Sequence, residues 1–206
     1  MAATQLSGDK TPRTERGRKT LRKLLDAATK EFAEKGFHEA SISGITRSAG
    51  VALGSFYTYF DSKDAIFRAL VSDMSEGVGR AAREALDPGM GALEVERVAL
   101  RAFLEFAADN KAIYRIIDEA EFVDPASYRE HYETIGKRIE QRLVAGGESG
   151  DFVSGLGSPE AWALMGMNVF LGLRYVIWAR EGDPDFDEIA RSANALLANG
   201  VARRDG

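Results

Sequence analysis

The 206-residue sequence is expected to fold as an all-α protein, with a small three-helix domain first and a larger helical domain after it. Three observations lead there. Apolar residues recur at spacings of three and four along most of the chain, no stretch alternates apolar and polar residues as a half-buried strand would, and glycine or proline breakers separate the periodic segments. A hydrophobic fraction of 45% is ordinary for a folded chain of this length, which suffices for one large domain or two small ones.

The first element is a basic segment. Lys10, Arg13, Arg16, Arg18, Lys19, Arg22 and Lys23 precede or open the first helix, and residues 1–18 are expected to form a flexible arm. Residues 1–63 carry eleven Lys and Arg against seven Asp and Glu, a net charge of +4. With −5 over the whole chain, residues 64–206 hold −9. Positive charge is thus concentrated at one end, as binding to phosphate requires, although a solvated tail would share that composition.

Next come two short helices around a tight turn. Ile42, Ile45 and Ala49 recur at helical spacing behind a possible cap at Ser41 or Ser43, and Gly50 can take the left-handed conformation of a sharp turn. A helix over 53–60 follows. Its periodicity places Leu53, Phe56, Tyr57 and Phe60 on a packing face, with Gly54, Ser55, Thr58 and Tyr59 on or beside the outward one. Two such helices make a helix-turn-helix, whose second member enters the DNA major groove; a small helical hairpin with an aromatic core would fit the spacing almost as well.

From Leu21 to Leu70 the order of residues resembles the N-terminal domain of the TetR family of bacterial transcriptional regulators. The likeness is carried by Phe32-Ala33-Glu34-Lys35-Gly36-Phe37, Ser41-Ile42, Ile45, Ala49-Gly50-Val51, Phe56-Tyr57, Tyr59-Phe60 and Ser62-Lys63. It implies a helix-turn-helix DNA-binding domain over 19–63 and a ligand-binding and dimerisation domain over 64–206. By the same resemblance Ser41 and Ser43 touch phosphate or base edges, Leu53, Gly54, Ser55, Tyr57, Thr58 and Tyr59 form the recognition helix, and Lys63 grips phosphate. Arg16, Arg18 and Lys19 join them from the arm. Tyr57 shares an angle with the packing face, so its ring is expected to be half buried with the hydroxyl toward the DNA backbone. The sequence departs from the family pattern at Ala52, where a capping serine is usual, and at Gly44, which costs about 1 kcal/mol inside a helix. Leu53 and Gly54 lack side-chain donors, which leaves direct base reading thin.

Further helices are expected over 62–86, closed by Asp87-Pro88-Gly89, and over 93–109, 112–122, 126–145, 159–180 and 185–202, with a flexible loop over 146–157. Stripes of Trp162, Gly166, Val169 and Leu173, and of Phe186, Ile189, Ala193, Leu196 and Leu197, read as core or as a subunit contact. The resemblance implies the latter, in a homodimer that presents two recognition helices to a near-palindromic double-stranded operator. It also implies a small-molecule pocket. Candidates are Phe103, Phe106, Tyr114, Phe122, Tyr128, Tyr132 and Trp178, with Arg115, Asn168 and Arg174 as the polar groups that need a partner. The run Asp118 to Pro125 with Tyr128 and Tyr132 is similar to regulators that sense acyl thioesters, so an acyl-CoA is a candidate effector.

No cysteine is present, which excludes disulfides and thiolate metal sites. Neither a signal peptide nor a membrane span is read from the sequence, and a cytoplasmic location is the expectation. The two histidines, His38 and His131, form no metal-binding pair, and no phosphate-binding glycine loop occurs. No metal, cofactor or catalytic residue is expected, and the leading reading is a ligand-responsive repressor rather than an enzyme or a nonspecific architectural DNA protein.

Overall fold

A computed structural model describes residues 10–200, and among these the chain is built from α-helices. In order they are α1 (Glu15–Glu39), α2 (Ile42–Ala49), α3 (Leu53–Tyr59), α4 (Lys63–Ala85), α5 (Ala92–Asp109), α6 (Ala112–Val123), α7 (Pro125–Ser149), α8 (Ser158–Gly172) and α9 (Phe186–Gly200). The all-α expectation is met. The end expected at 202 for the last helix lies outside the described residues. No described helix is long and apolar enough to cross a membrane.

The helices fall into two compact units. One contains residues 10–76 with Ala112–His131, the other Gly77–Lys111 with residues 132–200, and α4 passes from the first to the second at Glu76. The domain boundary expected at Lys63 therefore falls at the very start of α4, while the contacts of its first half keep that half with α1 to α3.

In the first unit α1 begins at Glu15, where the Thr14 hydroxyl accepts from the Gly17 amide, so Arg16 and Arg18 stand on a helix and not in a flexible arm. Residues 1–9 of that arm lie outside the described residues. Gly36 breaks α1 at φ 76°, ψ 169°, a left-handed conformation that glycine adopts without steric cost. Phe32, Phe37 and Phe67 then meet edge to face or stacked, with centroids 5.1 to 5.9 Å apart. Helix α6, distant in sequence, closes this end: Arg115 donates to the Ala33 carbonyl and Glu119 Oε2 accepts from the Phe37 amide at 3.0 Å.

The second unit is centred on Ile139, Leu143, Phe152, Ala161, Leu164 and Met165, all buried. Helix α5 packs on α9, and Arg97 links Glu94 to Asp187. Beside the core, Arg142 grips the buried Glu96 through two bonds of 2.6 and 2.9 Å. The end of α8 continues as a π-helical turn over Leu173–Ile177, in which the Trp178 amide reaches the Leu173 carbonyl at 3.0 Å.

The loop expected over 146–157 is only partly a loop. Helix α7 runs to Ser149, and the Phe152 amide bonds the Gly146 carbonyl at 3.0 Å while its ring drops into the core. Asp151 accepts from the Ala92 amide at 2.9 Å. Burial of one large ring thus outweighs the entropy of a glycine-rich stretch. A Cβ on Gly146 would lie 2.8 Å from Phe152 Cε2 and 2.9 Å from Ala92 Cβ. The variant Gly146→Ala is expected to lose about 1–3 kcal/mol through this overlap despite alanine's better helix propensity, measured by urea unfolding; equal or greater stability would show that Phe152 does not seat there.

Candidate nucleic-acid interface and internal cavity

Helix α2 starts on a cap made by Ser41, whose hydroxyl accepts from the Gly44 amide at 3.0 Å and lies 3.2 Å from the Ser43 hydroxyl. Under it sits a buried carboxylate. Glu31 Oε1 accepts from Lys35 Nζ at 2.7 Å and from the Ser41 amide at 3.3 Å. A Cβ on Gly44 would stand 2.6 Å from Glu31 Cδ, so at this glycine, an oddity in the sequence, the carboxylate occupies the space a side chain would take. Burial pushes the Glu31 carboxyl up; the Lys35 ammonium, the Ser41 amide and the charge of Arg47 outweigh it, and the net shift is downward.

The turn is closed by Gly50 at φ 66°, ψ 36°, with its amide bonded to the Arg47 carbonyl at 3.2 Å and the Val51 amide to the Thr46 carbonyl at 3.1 Å. Helix α3 begins at Ala52 with no side-chain cap, as the departure from serine implies. Phe56 and Phe60 are fully buried. Leu53, which periodicity places on the same face, is instead 51% exposed, and Tyr57 is half exposed at 49%, as its position at the edge of that face implies. This seven-residue helix makes its full core contact through Phe56 alone, with Phe60 just beyond its end. The Tyr57 ring lies edge-on to Phe56 at 5.4 Å, its backbone carbonyl accepts from Lys10 Nζ at 3.2 Å, and Lys10 also pairs with Asp61. Gly54 and Thr58 are exposed, and Ser55 and Tyr59 half-buried.

Lys63 does not stand free for a phosphate. Its ammonium donates to the carbonyls of Phe37 at 2.6 Å, Ala40 at 2.9 Å and His38 at 3.1 Å, and lies 4.6 Å from the Phe37 ring centroid. All three of its donors are used inside the protein, so the assignment of Lys63 to phosphate is corrected to a structural cap. Ser62 does cap α4, through the Ala65 amide at 3.1 Å. Of the basic residues on α1, Arg18 pairs with Glu15 at 2.9 Å, Lys19 approaches it at 4.0 Å, and Arg16 is exposed. Arg47, exposed on the last turn of α2 beside the exposed Ser48, went unselected in the sequence; its signal is a cation one helical turn from Ser43.

The second unit holds a small, half-open cavity of about 70 Å³. Phe103 and Asn168 line it as expected, together with Met165, Ile135, Ile139, Arg138 and Arg142. A Cβ on Gly79, also in the wall, would lie 2.6 Å from Arg138 Cζ. The remaining candidates are elsewhere. Arg115 is held by the Ala33 carbonyl in the first unit, to which Tyr114, Phe122 and Tyr128 also belong, and Phe122 is 83% exposed. Arg174 forms a two-bond pair with Asp183, both at 2.8 Å, and so fixes the α8–α9 connection. Phe106 packs where a Cβ on Gly77 would be, Tyr132 packs on the buried cluster, and Trp178 is 58% exposed. What sequence reading missed was the inner face of α7, where Ile135, Arg138, Ile139 and Arg142 follow one another at spacings of three, one and three.

The two stripes on α8 and α9 divide. Ile189 and Ala193 are buried inside the unit and Val169 lines the cavity, which removes them from an outward face. Leu197 packs on the core cluster, while Phe186 and Leu173 are half-buried. Trp162, Phe170 and Leu196 remain exposed, and nothing lies within 4 Å of a Cβ placed on Gly166.

A capped helix, a left-handed glycine turn and a short helix with a bare outer face constitute a helix-turn-helix, the DNA-reading module of a transcriptional regulator. Residues 24–70 match the model of bacterial regulatory proteins of the tetR family, so this segment is a domain of that family. It is 33% identical over 105 residues to the HTH-type transcriptional regulator YdgC of Bacillus subtilis, spanning 49% of this chain and about half, 54%, of that relative. It is 25% identical over 178 residues to the HTH-type transcriptional regulator UidR of Escherichia coli K12, covering 85% of this chain and 86% of UidR. Among solved structures, its fold is similar to the fatty acid degradation regulator FadR of Bacillus halodurans, with a TM-score of 0.77, 19% identity and coverage of 94% and 100%. It is likewise similar to Bacillus subtilis FadR in complex with stearoyl-CoA, with a TM-score of 0.74, 22% identity and coverage of 87% and 98%.

Because the Glu31 carboxyl is held below its ordinary value of 4.5, its stabilising contribution is complete above that pH and is lost as pH falls through the lowered value. The variant Glu31→Gln is therefore expected to be less stable than the parent by about 1–3 kcal/mol at pH 7, with the gap closing in acid. Urea unfolding at pH 7, 5 and 3.5 checks both; a gap that widens in acid contradicts the assignment.

Proposed function

We propose that this regulator is a homodimeric repressor that binds a near-palindromic operator and is released by a small apolar or acyl-thioester effector. The observation that carries the reading is the outward face of α3, where Leu53, Gly54, Tyr57 and Thr58 are exposed directly after the Gly50 turn. In this reading Ser41, Ser43 and Arg47 position α2 on phosphate, Ser55 and Tyr59 add hydroxyls along the backbone, Thr58 lies beside them on the exposed face, and Arg16, Arg18 and Lys19 supply charge from the first turns of α1. Lys63 acts at one remove, by holding the end of α1.

The effector reading rests on the cavity of the second unit. Its wall is mainly apolar; Arg138 of α7 and Asn168 of α8 supply polar groups to it, while Arg142, one turn on from Arg138, is already paired with Glu96. A similar fold binds stearoyl-CoA in the Bacillus subtilis FadR complex, which favours an acyl thioester as the first ligand to try. Trp162, Gly166, Phe170 and Leu196 form the apolar surface through which two subunits join. The ligand then favours a subunit arrangement in which the two recognition helices no longer match the half-sites, and by linkage operator DNA weakens ligand binding by the same factor.

The test is a gel shift against the DNA upstream of the protein's own gene. A complex that survives unrelated competitor DNA and weakens steeply with salt is expected, and a panel of acyl-CoA esters should dissolve it. At about one hundred times its Kd the effector should add about 2.7 kcal/mol of stability, seen as a rise in Tm. Binding indifferent to sequence sinks the repressor reading; a panel that changes neither the shift nor the Tm sinks the acyl thioester.

A further inference from the structure

Three side-chain facts on α3 lack an explanation inside the protein. Leu53 leaves half its surface bare although it has no polar atom to gain from water. Gly54 follows at an exposed position where a Cβ would meet nothing within 4 Å, and its φ is not positive, so neither packing nor backbone geometry calls for glycine. Alanine there would favour the helix by about 1 kcal/mol. One turn from Leu53, Tyr57 turns out a ring that is also half bare, while its backbone carbonyl is held by Lys10. The Thr58 hydroxyl donates back to the Gly54 carbonyl at 3.4 Å, so its proton is turned into the helix.

The outward surface of the reading helix is thus an aliphatic side chain and an aromatic ring four residues apart, with a bare backbone position beside them. Such a surface cannot discriminate bases by hydrogen bonds from Leu53 or Gly54. In the major groove one base feature is apolar, the C5-methyl group of thymine, and aliphatic or aromatic contact is how proteins read it. We infer that Leu53 and Tyr57 enclose the C5-methyl of one thymine in each operator half-site, and that Gly54 lets the helix backbone come close enough to do so. This rests on the proposed operator binding and specifies what the operator must contain.

The same methyl occurs on 5-methylcytosine, so the test separates the two bases. Binding sites are first enriched from a random duplex pool with the full chain. The best site is then remade with deoxyuridine in place of each thymine in turn, and separately with 5-methylcytosine in place of each cytosine. At one thymine per half-site, loss of the methyl should weaken binding about fourfold. The variant Leu53→Ala should bind the thymine and uracil sites equally, and Gly54→Ala should bind at least tenfold more weakly while melting no lower than the parent. Uracil tolerated within twofold at every thymine, or a full uracil penalty persisting in Leu53→Ala, overturns the inference. A gain confined to 5-methylcytosine overturns the thymine assignment. Failure of the pool to enrich any site is a different result, since it removes operator binding itself.

Discussion

Where α1 turns at Gly36, the carbonyls of Phe37, His38 and Ala40 are left without helical partners, and the Lys63 ammonium takes all three. A charged donor shared among three carbonyls at the edge of a phenylalanine cluster is worth more than a surface contact of the same geometry, because competing water is reduced there. The consequences spread through the first unit. Lys63 is the first residue of α4, so the cap ties the start of α4 to the end of α1. On the other side of the same break, Glu119 of α6 takes the Phe37 amide and Arg115 takes the Ala33 carbonyl. A Cβ at Gly36 would lie 2.6 Å from Glu119 Oε1, so the residue that permits the turn also admits the carboxylate that secures it.

The reading head inherits its position from that frame and from one further charge. Glu31, on α1 a little more than one turn before Gly36, reaches up to the first amide of the α2 cap and is balanced by Lys35. Its carboxylate occupies the space a side chain at residue 44 would take. A local rule of helix propensity is broken here for a tertiary contact, which is where such rules ordinarily yield. On α3 only Phe56 is fully buried, with Phe60 just beyond its end, and Leu53, Gly54, Tyr57 and Thr58 are left exposed to a partner.

The second unit is organised around a different compromise. Its core seals the end of α7 with Phe152, yet the middle of α7 keeps two arginines in a wall that is otherwise mainly apolar. Arg142 is neutralised by the buried Glu96, which is how a low-dielectric interior tolerates the charge. Next to Arg138, Gly79 supplies the space its guanidinium occupies.

Much of this was legible in the sequence. Periodicity and breakers placed the helices, and the run from Gly50 to Lys63 announced the helix-turn-helix, because capping and turn formation depend on residues adjacent in the chain. Ser41, Gly50, Ala52 and Ser62 behave in the structure as their local chemistry requires. The partner of each long polar side chain was not legible. Lys63, Arg115 and Arg174 were read as ligands for something external, yet they bond carbonyls or a carboxylate of this chain, at separations that for two of them exceed twenty residues. Helical spacing assigns a side chain to a face but not to what lies opposite: it puts Leu53 inward while the structure turns it out, and it leaves Ile189 open between core and a subunit contact while the structure buries it. What the sequence alone determined was the local grammar of helices, caps and the turn; tertiary packing decided which cations were already spent and which apolar groups remained for DNA, ligand or a second subunit, because those outcomes depend on neighbours brought together only when the helices pack.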